Sequence, residues 1–248
     1  MTMGRLLLCT DLDRTLLPNG LQPESPGARQ AFARLAAHPD VRTVYVTGRN
    51  PVLVEKAIRS WVVPWPDLLI ADVGTTIATP ADGGWERWRA WDDHLAADWA
   101  GRSPDGIRAL VDGVDGTSRQ DASRQTDFKL SWFTPGGEEG RRAAAAADRR
   151  LAKAGVRASV IWSEDERTGQ GLLDVLPSVA TKRLAVEFVV AEWGYGLDQV
   201  VFAGDSGNDL DVLASAIPAV LVANADPAVR EEARRLSEQA GHADRLYC

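Results

Sequence analysis

Three observations predict an α/β fold with a doubly wound, mostly parallel sheet and an inserted α+β module. Apolar runs of strand length alternate with amphipathic helical stretches at both ends of the chain. Those runs are apolar throughout rather than every second residue, which suits strands covered on both faces. In the middle the alternation stops, and stretches of a different character take over. At 248 residues, 45% hydrophobic and 25% charged, the chain suits one large or two modest domains with a sizeable core.

The first part, residues 1–82, opens with RLLLCTD as a buried strand. PGARQAFARLAAH follows with helical spacing, Phe32, Leu35 and Ala36 sharing a stripe. VRTVYVTG is the next strand. NPVLVEKAIRSWV is the next helix, with Asn50 as N-cap and Pro51 at the first helical position. DLLIADVG is the third strand. Residues 83–167 are expected to form the inserted module. GGWERWRAWDDHLAADWA reads as a helix with Trp85, Trp88 and Trp91 on one broad face. TDFKLSWFTP alternates, with Phe128, Leu130 and Trp132 on one face and Lys129 and Ser131 on the other. GEEGRRAAAAADRRLAKAG is strongly helical and closes at Gly155. VRASVIWSED is a further strand. Residues 168–248 return to the core pattern: GLLDVLP, then the helix TKRLAVEFVVAEW, the strand QVVFAGD, the helix NDLDVLASA, the strand PAVLVANA and a closing helix from Asp226.

The net charge of −7 and pI of about 5.1 argue against general nucleic-acid binding, which needs a basic face. An anionic ligand therefore depends on local attraction. The cysteines, Cys9 and Cys248, form no metal-binding or disulfide pattern. No signal-peptide core and no run of membrane-spanning length are evident. The expectation is a reduced cytoplasmic protein with no membrane partner.

Asp11 and Asp13 follow the first strand directly. If the strand continues, alternation puts both on one face, where repulsion of about 4 kcal/mol at ~4 Å calls for a compensating group. Ligands in open α/β sheets bind at the carboxyl ends of the strands. Near such ends stand Asp11-Leu12-Asp13-Arg14-Thr15, Thr47-Gly48-Arg49, Lys182 and Gly204-Asp205-Ser206-Gly207-Asn208-Asp209. If they converge, four carboxylates (Asp11, Asp13, Asp205, Asp209) meet Lys182. The excess negative charge in an all-oxygen site suits Mg²⁺.

These four segments, in this order, resemble the four motifs of the haloacid-dehalogenase (HAD) phosphatase superfamily. The insertion resembles its larger, C2-type cap. TGR, VGTTI, QTDFKLSW, GLLDVLPSVATK and GDSGND narrow the resemblance to the sucrose-phosphate phosphatase family, in its short bacterial form. Arg14 departs from the family pattern, where a small or neutral residue is usual.

The resemblance implies that Asp11 attacks phosphorus and forms an aspartyl-phosphate. Asp13 would protonate the leaving oxygen and then activate water, a role that asks for a raised pKa. Thr47 would hydrogen-bond the phosphoryl group, and Lys182 would neutralise charge. Mg²⁺ would be held by Asp11, Asp13, Asp205 and Asp209. Gly48, Arg49, Gln125, Lys129 and Asn208 are the expected substrate contacts. The substrate class is a small-molecule sugar phosphate, sucrose 6-phosphate first, with mannosyl- or glucosyl-glycerate phosphates and unselective sugar-phosphate hydrolysis as alternatives. A sugar-phosphate synthase would act upstream, and the chain would be a monomer. Two other classes compete: a phosphoryl-accepting signalling module, which lacks an inserted cap, and a non-hydrolysing sensor, which has no need of Asp13.

Overall fold

The computed structural model describes residues 4–20, 23–165 and 168–248, which divide into two compact units. One comprises residues 1–88 and 181–248, the other residues 89–180.

The first unit begins with β1 (Leu6–Thr10), α1 (Ala28–Ala36), β2 (Val41–Val46), α2 (Pro51–Trp61) and β3 (Leu68–Ala71). The Asn50 side chain accepts from Leu53 N, and Pro51 sits in the first turn, as the sequence predicts. In α1, Phe32 packs on the core while Leu35 is exposed. After β3 the chain makes a sharp corner: Asp72, Val73 and Gly74 all take positive φ. It then returns antiparallel as β4 (Thr76–Ala81) and β5 (Gly84–Arg87). This corrects the first part of the helix expected from Gly83 onward, which begins only at Arg89. Ala81 pairs with Gly84, so Asp82-Gly83 is a two-residue hairpin loop. Such Asp-Gly loops are a strong hairpin signal, and it outweighs the helical spacing of the tryptophans. Trp85 therefore lies on β5 against Trp65, with ring centroids 5.4 Å apart, and Trp88 meets Trp193 edge-on.

The second unit carries α3 (Arg89–Ala96), α4 (Pro104–Asp112), β6 (Ser118–Arg119), β7 (Leu130–Thr134), α5 (Gly137–Lys153), β8 (Ala158–Glu164) and β9 (Gly171–Pro177). Its sheet order is β6-β7-β9-β8, antiparallel throughout. β9 is central, paired with both β7 and β8, so residues 168–180 cannot belong to the core. The expected limits of 83–167 are thus corrected to 89–180. Trp91, Trp99 and Trp132 are buried here, which makes them packing residues. The Trp162 indole donates to Thr134 Oγ1 and lies under the Arg141 guanidinium. Ser131 is buried, and its hydroxyl bonds Asp174 on the neighbouring strand.

The chain re-enters the first unit as α6 (Lys182–Glu192), β10 (Val200–Gly204), the short α7 (Leu210–Leu213), β11 (Ala219–Leu221), α8 (Pro227–Gln239) and β12 (Leu246–Tyr247). The completed sheet runs β12-β11-β10-β1-β2-β3-β4-β5. It is parallel from β12 through β3. Leu7 and Cys9 on β1 and Phe202 on β10 are fully buried. Among the described residues no helix is long and apolar enough to cross a membrane.

Candidate active site

β10, β1 and β2 are neighbours and run parallel. Asp205, Asp11 and Thr47 are the residues immediately beyond their carboxyl ends. Adjacent strands lie about 4.8 Å apart, so side chains from three distant segments meet in one place. Asp11 N donates to Ala203 O, which extends the β1–β10 ladder to Asp11 itself. Asp11, Thr47, Lys182, Asp205 and Asp209 are all at least 95% buried (4%, 0%, 1%, 2% and 0% exposed).

Lys182 is the hub. Thr181 caps α6 by accepting from Leu184 N, and Lys182 opens the helix. Its ammonium donates to Asp11 Oδ1 at 2.9 Å, Asn208 Oδ1 at 2.8 Å and Asp209 Oδ1 at 2.7 Å, which matches the three protons available. Burial pushes the lysine pKa down, but Asp11 and Asp209 more than reverse this and hold it above its ordinary value. The helix start is fixed by a close approach: a Cβ on Gly74 would stand 2.5 Å from Thr181 O. Asp209 Oδ2 accepts from Asp205 N and Ser206 N, both at 3.1 Å. Both its oxygens are therefore engaged, and its observed work is to orient Lys182 and the loop. Gly204 makes this possible, since a Cβ there would sit 2.7 Å from Asp209 Cγ.

Burial pushes Asp11 up to about 7; Lys182 opposes the rise, while Asp209 and Asp205 add to it. Burial likewise raises Asp205. Carboxylate oxygens of Asp11, Asp205 and Asp209 lie within 4.8 Å of one another. Asp205 Oδ2 is buried and accepts no hydrogen bond, an expensive state for a carboxylate oxygen. An all-oxygen donor set with one orphaned, buried anionic atom fits a hard divalent cation such as Mg²⁺. The side chain of Asp13 is not part of this group; the resemblance assigns its backbone carbonyl, not its carboxylate, to the metal.

The chain leaves the sheet at Thr10, so strand alternation does not carry through to Asp13. Leu12 is fully buried and its carbonyl accepts from Thr15, Leu16 and Leu17 N. This tight turn directs Asp13 to Arg49, whose Nε and Nη2 grip the two carboxylate oxygens. Asn19 adds a further bond. Burial would raise Asp13, but the bonds from Arg49 and Asn19, with the charges of Arg49 and Lys182, hold it below the usual carboxylate range. The expected raised pKa is thus corrected. So is the expected repulsion between the two aspartates: the anions acting on Asp11 are Asp209 and Asp205. Thr47 Oγ1 accepts from Arg49 N at 3.2 Å, and Gly48 lies between them with Val73 as its neighbour.

Gln125 and Lys129 belong to the second unit. The Gln125 amide donates to Gln120 O and Ser131 O and accepts from Ser131 N. It is fully engaged in holding its own loop, which speaks against the expected substrate contact. Lys129 Nζ stands 3.6 Å from Asp174 Oδ2. Asp174 itself was not singled out from the sequence, yet a lone carboxylate in the apolar strand GLLDVLP was the available signal. Arg14 is also brought to the core site: its Nε lies 3.2 Å from Asp205 Oδ2.

The family model described as sucrose-6F-phosphate phosphohydrolase matches residues 4–248. A HAD-like hydrolase of Nitrosococcus oceani is 43% identical over 244 residues, 98% of this chain and 65% of that protein. The chain thus spans slightly under two thirds of that relative. A mannosylfructose-phosphate phosphatase of Agrobacterium fabrum is 27% identical over 226 residues, covering 89% of this chain and 84% of that one. The sucrose-phosphatase of Synechocystis, solved with sucrose and phosphate, shares the fold at a TM-score of 0.68. It is 24% identical and covers 99% of this chain and 91% of its own.

Proposed function

The chain belongs to the sucrose-6F-phosphate phosphohydrolase family of the HAD superfamily, and from that premise we propose that it is a Mg²⁺-dependent phosphatase acting on a sugar phosphate, sucrose 6-phosphate first. The observation that carries this reading is the buried Lys182 ammonium bridging Asp11, Asn208 and Asp209 at the carboxyl ends of parallel strands. A buried lysine so held suits a site that gathers negative charge.

Asp11 is the nucleophile, with Oδ1 fixed by Lys182 so that attack on phosphorus needs little reorientation. Attack breaks the bond between phosphorus and the sugar oxygen: the sugar leaves as its alcohol with a proton from Asp13, and an acyl phosphate remains on Asp11, with Lys182 and Thr47 facing the added anion. Asp11, Asp205 and the segment at Asp13 would hold the metal, which supplies positive charge against the phosphoryl oxygens and restores the ionised form of Asp11. Asp13, kept ionised by Arg49, is suited to take a proton from the hydrolytic water. For its earlier role as acid the Arg49 fork must release it, and a substrate phosphate is the competing anion that would draw Arg49 away. Asn208 and Gly48 complete the phosphate side of the pocket. Lys129, paired with Asp174 within the second unit, is the sugar contact proposed from the sequence, and Gln125 shapes its loop.

The first test is phosphate release across a panel of sucrose 6-phosphate, mannosylfructose phosphate and glycosyl-glycerate phosphates, with and without Mg²⁺. Strong preference for sucrose 6-phosphate with Mg²⁺ supports the reading. The Agrobacterium relative makes mannosylfructose phosphate the second candidate, and preference for it would move the assignment there. Asp11→Asn is expected to abolish turnover while keeping the fold; full turnover by a pure sample of that variant would overturn the mechanism.

A further inference from the structure

We propose that Arg14 is a built-in counter-cation for Asp205 that competes with the divalent metal, so that loading the site requires the guanidinium to swing away. The inference rests on the metal-dependent reading above and goes beyond it by assigning a residue that tunes metal affinity.

Two features of Asp205 motivate it. Its Oδ2 is buried and accepts no hydrogen bond, yet Arg14 Nε stands 3.2 Å from that same oxygen. Charge compensation without a good hydrogen bond leaves the oxygen open to a better partner. Three carboxylates, Asp11, Asp205 and Asp209, gather here, with Lys182 paired to Asp11 and Asp209 and the charge of Arg49 also acting on Asp11. Arg14 therefore offsets like-charge repulsion in the metal-free protein.

The mobility of the pair is one-sided. The Asp205 side chain is 3% exposed and that of Arg14 is 43% exposed, so the arginine can turn into water at small cost. Its backbone cannot follow. Arg14 has φ 61°; its N–H donates to Leu17 O and Asn19 Oδ1, and its carbonyl accepts from Asn224 Nδ2 at 2.7 Å. The Cβ is thus fixed beside Asp205, and only the side-chain torsions change. A cation on this tether lowers metal affinity without blocking the site.

Titration calorimetry of the full chain with MgCl₂ alone tests this, using the wild type, Arg14→Gln, Arg14→Lys and Asp205→Asn. Arg14→Gln keeps a polar group at the ε position and loses the charge; it is expected to bind Mg²⁺ roughly twofold to fivefold more tightly, the scale of a partly exposed ion pair. Arg14→Lys should return towards the wild-type affinity. Without Mg²⁺ the Arg14→Gln variant should melt below the wild type, and at saturating Mg²⁺ the two should coincide. Equal or weaker Mg²⁺ binding by Arg14→Gln overturns the competition. Asp205→Asn separates the two readings. If it loses Mg²⁺ while Arg14→Gln is unchanged, only the role of Arg14 falls. If it binds Mg²⁺ like the wild type, the metal site itself is misplaced.

Discussion

Lys182 uses every proton of its ammonium on three partners, and removing it leaves two buried carboxylates facing each other. Lys182→Met should therefore cost about 3–5 kcal/mol in urea unfolding without added metal, as for other broken buried pairs. Turnover should fall by roughly a hundredfold or more, the loss typical of one charge-stabilising donor. A variant as stable as the wild type would show that the pocket tolerates that charge. Gly204 supports the same cluster by absence. Its replacement by Ala would drive a methyl into Asp209, at about 1–3 kcal/mol, and should lower activity with Lys182 intact. Unchanged activity and melting for Gly204→Ala would mean that Asp209 is free to shift. Most of this site was legible, because each residue follows an apolar strand or opens a helix. The Asp13–Arg49 fork was not. It depends on a turn at Leu12, and strand alternation gives no warning of where a strand stops. Burial of Cys9 pushes its thiol up to about 12, in keeping with its place as an inert core residue.

At the level of single elements, the second unit is tied down by one buried carboxylate. Asp98 accepts from Ser178 Oγ at 2.7 Å, Val179 N at 3.0 Å and Arg157 Nε at 2.7 Å, linking the turn after α3 to the segments that follow α5 and β9. Burial would raise its pKa, but the bonds from Ser178, Val179 and Arg157 outweigh it and hold the carboxyl below its ordinary 3.8. The Arg157 side chain is 68% exposed, so water screens its charge and the two shielded bonds matter more. A depressed folded-state pKa gives stability that is complete above the unfolded value and lost as pH falls through the folded one. Asp98→Asn should then cost about 1–3 kcal/mol near neutral pH. The gap to the wild type should shrink as pH drops below about 4. Urea midpoints measured across that range check it, and a gap that stays constant would refute the linkage. Helices with clear caps, such as α2, were readable at their starts. The hairpin of β4 and β5 was misread because tryptophans every third residue imitate a helix face, and β9 was misassigned because an apolar run does not name its partner strands.

For the whole molecule, the two units differ in how the chain builds them. Residues 89–180 are continuous and carry their own core, including Trp91, Trp99, Leu130, Trp132, Leu151 and Leu173. A fragment of that span should unfold cooperatively with buried-tryptophan fluorescence; a fragment with denatured-like emission would show that it depends on the rest. The remaining unit is assembled from two separate stretches of the chain. Its general class was readable from strand and helix alternation, but the pairing of β1 with β10 was not, since these two neighbours are far apart in sequence. β1 lies between β2 and β10, and Asp11 and Lys182 are 171 residues apart. On a translating ribosome at ~5–20 residues per second, the first aspartate waits roughly 9–34 s for its lysine. During that interval the nascent β1 presents an unpaired edge, while the continuous unit can already be folding. Chaperone dependence should therefore follow the delay in β10 reaching the tunnel exit, and slowing elongation between the two units should lengthen the vulnerable period.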